Sequence, residues 1–257
     1  MRGNILKEKL AKGEVVLGTF VRSAEPAICE VLALCGFDFV VLDGEHSPLS
    51  IRELADLVRV ADGVNLPAII RVSQNAPFPI MQALDVGASG VQVPQVNSVK
   101  EALDLVSYAK YYPIGNRGFA VTHRAALYGF DSPIEYAKKA NSNTLVVCYV
   151  ETREAVECIE EIAKIAGIDV LFVGPFDLSQ SYNVPGEINH PEVQKAIEKV
   201  LSACDASDKV AGTIARNIDE AKLRIRQGFR YLCYSSDLGM LAQAGREVLL
   251  ELRKNGL

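Results

Sequence analysis

Residues 145–181 read LVVCYVETREAVECIEEIAKIAGIDVLFVGPFDLSQS and decide the fold class. An apolar run at 145–151 is followed by an amphipathic stretch at 153–163 and a second apolar run at 170–174. Strands that are apolar throughout are typical of a parallel sheet covered on both faces. Thr152 precedes the helical stretch as a capping residue. The segment therefore predicts a strand–helix–strand unit of an α/β protein.

The same unit recurs along the chain. Further strands are predicted at 15–20, 37–43, 67–71, 90–93, 210–214 and 231–235. Further helices are predicted at 25–34, 51–60, 77–85, 99–110, 191–207, 218–227 and 238–252. Eight strands, each followed by a helix, predict a (β/α)8 TIM barrel that spans residues 1–257 as one domain. A doubly wound sheet is the main rival, but it normally has fewer strands, and the G-x-G-x-x-G fingerprint is absent.

Composition excludes several classes of protein. The 257 residues are 49% hydrophobic and 23% charged, with a formal net charge of −5, as in a globular chain with a sizeable core. The sequence contains no block of basic residues, so we do not expect a nucleic-acid partner. Its apolar runs are too short to span a membrane. The charged start lacks the apolar stretch of a signal peptide, and the six cysteines are scattered. We therefore expect a cytoplasmic protein with free thiols.

Barrel enzymes place their reactive groups at the carboxyl ends of the strands. Strand two runs FVVLD into GEHSP, strand three ends in AIIR, strand five ends in YVE, and GPFDLS follows strand six. The ionisable side chains at these ends are Asp43, Glu45, His46, Arg71, Glu151 and Asp177. Because the ends meet at one rim, we expect a shared site there. Alternation along strand five further places Tyr149 one layer beneath Glu151.

Glu151 and Asp177 are the candidate metal ligands. Either acid alone would more often be an ordinary salt-bridged residue, but their placement on one rim favours function. Two carboxylates without a neighbouring His or Cys ligand form a hard, oxygen-rich site. Such a site favours Mg²⁺ or Mn²⁺ over zinc, with water and substrate oxygens completing the coordination.

His46 and Arg71 are the other candidates. His46 follows Asp43 by three residues, so this carboxylate could fix the imidazole tautomer and raise its basicity. Arg71 ends an apolar strand, where a guanidinium is costly unless it meets an anion. That anion could be a substrate, or it could be Asp43 or Glu45 in a salt bridge.

Other features narrow the chemistry. No predicted strand ends in lysine, which argues against a Schiff-base aldolase. The insertion at 110–144 is too long for a plain loop, so we expect an ordered excursion over the barrel mouth. Of the other two histidines, His123 is expected at the surface or in a lid, and His190 is expected to be structural at a helix start.

These same residues resemble the HpcH/HpaI family of metal-dependent pyruvate aldolases over nearly the whole chain. GFDFVVLDGEHSP, RVSQNAPFPIMQALDVGASGVQVPQV and YYPIGNRG are similar to the family's second strand, its third and fourth strands, and its glycine-and-arginine loop. The most specific match is YVETREAVECIEEIAKIAGIDVLFVGPFDLSQS, which is similar to the paired metal-ligand segments. The resemblance implies a barrel of the phosphoenolpyruvate/pyruvate-binding type.

The resemblance also assigns roles. It implies that Glu151 and Asp177 bind Mg²⁺, Mn²⁺ or Co²⁺, and that His46, oriented by Asp43, is the acid/base group. Arg71 would contact the keto oxygen of pyruvate. Backbone N–H groups around Phe176 and Asp177 would hold the pyruvate carboxylate. Ile214, at the end of strand seven, joins the expected substrate-binding residues. The family further suggests a homo-hexamer, a trimer of dimers that exchange their last helix.

The chain departs from the family pattern at two positions. The family commonly has Gln two residues before the metal-binding Glu, where this chain has Tyr149. Phe176 stands where a small residue is usual. We therefore place Tyr149 and Phe176 in the substrate pocket and expect both to affect its size.

The resulting hypothesis is reversible cleavage of a 4-hydroxy-2-oxo acid into pyruvate and an aldehyde through a metal-stabilised enolate. One alternative keeps the site but changes the reaction to oxaloacetate decarboxylation or a citryl-CoA-lyase-like step. A second alternative is a non-catalytic barrel that only binds a small carboxylate or a partner protein.

Overall fold

A computed structural model describes residues 4–254, in which eight parallel strands form a closed barrel. Each strand pairs with the next along the chain, and the eighth pairs with the first. The strands are β1 (Val16–Val21), β2 (Phe39–Asp43), β3 (Ala68–Arg71), β4 (Gly90–Val93), β5 (Leu145–Val150), β6 (Val170–Val173), β7 (Val210–Ala215) and β8 (Tyr231–Ser236). The predicted (β/α)8 fold is confirmed.

Helices surround the barrel. They are α1 (Ile5–Ala11), α2 (Ala27–Leu34), α3 (Ile51–Gly63), α4 (Pro77–Asp85), α5 (Val99–Ala109), α6 (Pro133–Asn143), α7 (Arg153–Glu157), α8 (Ile159–Ile162), α9 (Pro175–Ser181), α10 (Pro191–Asp205), α11 (Ile218–Arg226) and α12 (Asp237–Lys254). Ser50 and Glu53 form a reciprocal capping box at the start of α3. The predicted helix at 153–163 is two short helices, because the backbone at Cys158 leaves the helical region.

Two apolar layers form the core. One lies between the strands and the surrounding helices, and the other fills the barrel interior with side chains that alternate along the strands. Gly18 shows how tightly the interior is packed, since a Cβ there would lie 2.4 Å from the ring of Phe39. Leu6 and Leu10 of α1 pack against this interior cluster. The strand register places Asp43 opposite Arg71 at the ends of β2 and β3.

The insertion at 110–144 is ordered, as expected, but its predicted place over the barrel mouth is wrong. It connects α5 to β5, and such connections lie at the amino ends of the strands, opposite the mouth. Arg117 and Arg124 bind Asp85 and Asp62, at the last turns of α4 and α3, at 2.5 Å each. Both acids lie at the ends of helices that run back from the mouth, so the insertion covers the amino end of the barrel.

The same correction applies to His123. It lies within this insertion, where Nε2 is 3.4 Å from Asp85 Oδ1 and only 13% of the side chain is exposed. A ring this buried is neither a surface group nor a lid. His190 precedes α10 as expected, and its Nδ1 accepts the N–H of Glu192 at 3.3 Å. None of the helices within residues 4–254 is long and apolar enough to cross a membrane.

Candidate active site

Arg71 is the centre of the polar cluster at the carboxyl ends of the strands. It is paired in register with Asp43 on the neighbouring strand β2. Its Nε and Nη2 donate to the two oxygens of Asp43 at 2.9 and 2.7 Å, a bidentate arrangement. Arg22, directly after β1, donates through Nε to Asp43 at 3.0 Å. The predicted salt bridge therefore exists, and it fixes the guanidinium at the rim.

Three further residues contact the guanidinium. Its Nη1 lies 3.2 Å from Glu45 Oε2 and donates to the hydroxyl of Tyr149 at 3.4 Å. The ring of Phe20 lies below it, 4.7 Å from the guanidinium carbon to the ring centroid. Burial alone would raise the pKa of Asp43, but its hydrogen bonds with Arg71 hold that pKa below its usual value. The pair is therefore fully ionised at neutral pH.

The imidazole of His46 is arranged differently from the prediction. Asp43 Oδ1 accepts the backbone N–H groups of Glu45 and His46 at 3.1 Å each, so Asp43 holds the turn and not the ring. The expectation that Asp43 orients the imidazole is wrong, because both of its oxygens are committed to Arg71 and the backbone. The imidazole is 59% exposed, and its Nε2 lies 3.8 Å from Glu45 Oε2. Glu45 is therefore the carboxylate beside the ring.

Glu151 lies directly after β5 and is almost completely buried. Its Oε1 accepts the backbone N–H of Gln95 at 2.8 Å. A Cβ at Gly174 would lie 3.0 Å from Glu151 Oε2, so the glycine leaves room for this carboxylate. Burial is the largest cause that raises the pKa of Glu151 to about 7; the nearby charges of Asp177 and Glu45 contribute to this rise, and the hydrogen bond from Gln95 opposes it.

Asp177 lies in the first turn of α9, on the exposed side of the rim. The backbone N–H groups of Phe176 and Asp177 precede the first hydrogen bond of α9, which Leu178 donates to Gly174 at 2.9 Å. Such groups at a helix start can bind an anion. The half-exposed ring of Phe176 stacks on the guanidinium of Arg216 at 5.1 Å.

Tyr149 and Ile214 point toward the barrel interior. Tyr149 belongs to the interior cluster, and Ile214 packs against it. The alternation predicted for strand five is confirmed, since Leu145 and Val147 share this face with Tyr149. Of the two, Tyr149 contacts the rim cluster directly, through its hydroxyl and Arg71.

Sequence reasoning missed several polar residues of the site. They are Arg22, Gln92, Gln95 and Tyr231. Gln92 had a signal, because it is a polar residue within the apolar strand GVQV. Gln95 acts through its backbone N–H, for which a sequence carries no signal.

The charges at the rim fit a divalent cation. When all four acids of the rim are ionised, their charges exceed those of its two arginines by two; these residues are Asp43, Glu45, Glu151, Asp177, Arg22 and Arg71. Burial raises the pKa of Glu45 as well, against the opposing charge of Arg71. Within residues 4–254, no group of three or more His, Cys, Asp or Glu is arranged to hold a metal. Two carboxylates suffice for Mg²⁺, which keeps several waters or substrate oxygens.

Known proteins resemble the chain over nearly its full length. The sequence profile of the HpcH/HpaI aldolase/citrate lyase family matches residues 16–244. A 5-keto-4-deoxy-D-glucarate aldolase of Enterobacter sp. (strain 638) is 34% identical, with 98% of this chain and 97% of the relative covered. A hydroxypyruvate/pyruvate aldolase of Roseovarius nubinhibens is also 34% identical, with 97% of each chain covered.

A solved structure agrees with these sequence relatives. The crystal structure of an HpcH/HpaI aldolase/citrate lyase family protein from Burkholderia cenocepacia J2315 superposes with a TM-score of 0.92. It is 32% identical and covers 97% of this chain and 99% of its own. The family match and the relatives named as aldolases favour an enzyme over the non-catalytic alternative. The chain belongs to the HpcH/HpaI aldolase/citrate lyase family and is an enzyme, a lyase of the aldolase type.

Proposed function

We propose that this enzyme reversibly cleaves a 4-hydroxy-2-oxo acid into pyruvate and an aldehyde with the help of a divalent cation, Mg²⁺, Mn²⁺ or Co²⁺. The observation that carries the proposal is the fixed guanidinium of Arg71 beside the buried carboxylate of Glu151 at the barrel mouth. One relative is named a hydroxypyruvate/pyruvate aldolase, and this name supports pyruvate as the oxo-acid product of cleavage.

Glu151 and Asp177 would hold the cation. When bound, it supplies Lewis acidity toward the oxygens of the oxo acid. Only the ionised carboxylate is a ligand. Because the pKa of Glu151 is about 7, cation binding requires the loss of a proton from Glu151 when the pH lies below this value. The first-turn N–H groups of Phe176 and Asp177 would bind the substrate carboxylate.

Arg71 would stabilise the charge that develops during cleavage. As the C3–C4 bond breaks, its electron pair becomes the C2–C3 double bond of the enolate, and negative charge collects on the C2 oxygen. A guanidinium held by Asp43 and Glu45 offers donors to that oxygen without first having to reorganise. C3 then takes up a proton to give pyruvate.

His46 would remove the proton from the 4-hydroxyl group, so that the O–H electron pair forms the aldehyde C=O bond. Its exposed imidazole can reach a substrate at the mouth directly or through one water. Glu45 lies beside this ring, with its Oε2 3.8 Å from the imidazole Nε2. Beneath these groups, Tyr149 and Ile214 would form the floor of the substrate pocket, with Phe176 at its edge.

The experiment is a pyruvate-release screen over 4-hydroxy-2-oxo acids of different chain length and charge, with Mg²⁺, Mn²⁺ and Co²⁺. Oxaloacetate is assayed in parallel, because decarboxylation and a citryl-CoA-lyase-like step use the same site. Cleavage that is lost with chelator and restored by metal supports the proposal. Pyruvate from oxaloacetate alone would favour the decarboxylase, and trapping of an imine by borohydride would contradict the metal route.

We further propose that the enzyme forms a homo-hexamer in which paired subunits exchange their last helix. Support comes from α12, whose residues are all exposed from Leu241 to Lys254. They include Leu241, Val248, Leu249, Leu250 and Leu252. An amphipathic helix is normally stabilised by packing its apolar face, so this face fits a second copy of the chain. Light scattering of the eluted protein tests the proposed mass.

A further inference from the structure

A row of three polar side chains crosses the otherwise apolar interior of the barrel. Tyr231 on β8 donates its hydroxyl to Gln92 Oε1 at 3.1 Å, and Gln92 Nε2 donates to the hydroxyl of Tyr149 at 2.9 Å. All three side chains are buried. Buried polar groups are costly unless they are paired, so the row needs an explanation.

The direction of the hydrogen bonds follows from Tyr231. Within residues 4–254, its hydroxyl has one hydrogen-bond partner, Gln92, and its aromatic ring packs against the rings of Phe39 and Phe172. The buried hydroxyl proton therefore requires the amide oxygen as its acceptor. If the amide were reversed, this proton would have no acceptor. The NH₂ group of Gln92 consequently faces Tyr149.

Tyr149 receives a second donor from the other side. Arg71 Nη1 approaches the same hydroxyl oxygen at 3.4 Å, and a guanidinium can only donate. With donors from Gln92 and Arg71 on its oxygen, the hydroxyl of Tyr149 keeps its own proton. No acceptor for that proton is found among the described residues. The proton is therefore available to a ligand that also contacts Arg71.

The ring of Tyr149 is held firmly enough to aim this proton. Its centroid lies 4.7 Å from that of Phe172, and its Cδ1 is 3.6 Å from the place a Cβ would take at Gly174. Glu151 adjoins the same glycine position, so one edge of the Tyr149 ring lies near the buried carboxylate, while the hydroxyl of Tyr149 contacts Arg71. The C2 oxygen of an oxo acid bound by Arg71 Nη1 would lie near this hydroxyl.

We propose that Tyr149 is a catalytic residue that donates a hydrogen bond to the C2 oxygen as negative charge develops on it. Gln92 and Tyr231 are positioning residues. Gln92 donates a hydrogen bond to the hydroxyl oxygen of Tyr149, and Tyr231 holds the Gln92 amide in that orientation. No proton is transferred from Tyr149, so no substrate bond is made or broken by it. The inference rests on the proposed function, because it assigns a second donor to the same oxygen that Arg71 would stabilise.

The test uses the Mg²⁺-loaded enzyme and pyruvate without an aldehyde. Exchange of the pyruvate methyl protons in D₂O, followed by NMR, reports formation of the enolate. Tyr149→Phe removes only the hydroxyl, and we expect the exchange rate to fall about 10²-fold, as for loss of one oxyanion donor. The KM for pyruvate should change far less than the rate. Affinity for oxalate, a planar dianion that resembles the enolate, should fall as well.

Two further variants separate this role from a structural one. Tyr136→Phe removes a buried phenol hydroxyl at the amino end of the barrel and should leave the exchange rate unchanged. Tyr231→Phe frees the amide to turn and take the proton of Tyr149, so it should lower both the exchange rate and the oxalate affinity. It therefore tests the inference even if Tyr149→Phe does not fold.

The outcomes distinguish this inference from the proposed function. If the wild-type enzyme exchanges the pyruvate protons and both Tyr149→Phe and Tyr231→Phe exchange them at the same rate, the inference alone is overturned. If the wild-type enzyme neither exchanges pyruvate nor releases it from any oxo acid, the proposed function fails, and the role of Tyr149 fails with it.

Discussion

Arg71 and Asp43 lie directly opposite each other on adjacent parallel strands and are joined by two hydrogen bonds of 2.9 and 2.7 Å. Asp43 is fully buried and also accepts two backbone N–H groups from the turn that carries His46. One carboxylate thus fixes both the guanidinium and the turn. Asp43 thus connects strands β2 and β3 to the turn that carries His46 at the barrel mouth.

Asp43→Asn should strongly destabilise the protein. Breaking a buried ion pair leaves the guanidinium of Arg71 without its bidentate partner, which costs about 3–5 kcal/mol. Urea denaturation measures the change in the free energy of unfolding. Asp56→Asn is the matched control, because Asp56 forms an exposed pair with Arg59 and its loss should cost less than about 1 kcal/mol. Equal effects of the two variants would refute the structural role of Asp43.

Arg71→Lys should impair the reaction while the charge is retained. Lysine cannot form the bidentate contact with Asp43, so its ammonium will not stand where the guanidinium does. We expect a loss of about 10²–10³ in kcat, as for removal of an oxyanion donor. Steady-state cleavage kinetics measure this, with Arg59→Lys on the surface as control. A rise in KM at unchanged kcat would instead assign Arg71 to ground-state binding.

His46→Asn should lower kcat for cleavage by about 10²–10⁴, the usual contribution of general acid–base catalysis. His190→Asn is its control, since His190 caps α10 and asparagine serves the same purpose. Both variants are assayed for pyruvate release under identical metal concentration. Full activity of His46→Asn would move the acid–base role to another group, such as Glu45.

Glu151 makes the stability of the metal-free protein depend on pH. Its pKa in the folded state, about 7, lies above the ordinary 4.5, because burial disfavours the charged form. The folded protein therefore holds an extra proton between these pH values, and stability falls as the pH rises through 7. Wild type should lose up to about 3 kcal/mol more than Glu151→Gln over this interval.

Urea denaturation in chelator, at about pH 5 and about pH 8, measures this difference. Glu198→Gln, at an exposed position of α10, should lose as much stability as wild type. Parallel stability curves for wild type and Glu151→Gln would show that the carboxyl is not held in the protonated form.

Much of the fold could be predicted because strand periodicity is local. β4 and α4 have the predicted bounds, and β5 and β6 differ from prediction by one residue at their ends. The predicted position of the insertion over the barrel mouth is wrong, because a segment between a helix and the following strand lies at the amino end of the barrel. Helix α1 has no counterpart among the predicted helices. It packs Leu6 and Leu10 into the barrel, and such a contact has no local sequence signal.

The site could be predicted only in part. Strand ends identify Arg71 and Glu151, since polar residues that terminate apolar runs meet at one rim. Contacts that join distant residues leave no local signal: Gln92 and Tyr231 are 139 residues apart and meet only across the closed barrel. Sequence spacing puts His46 near Asp43 but does not show which atoms of the turn face the carboxylate. The expected contact is therefore with the imidazole, whereas Asp43 accepts the backbone N–H groups of the turn.

Direct binding of Mn²⁺ is the measurement closest to the central claim. Electron paramagnetic resonance can follow titration of the chelator-treated protein, with Glu151→Gln and Asp177→Asn in parallel and Glu198→Gln as control. We predict one Mn²⁺ per chain in the wild type and at least about tenfold weaker binding in each site variant. Cleavage should return in proportion to bound metal. Unchanged binding in both site variants, or full cleavage in excess chelator, would contradict the account.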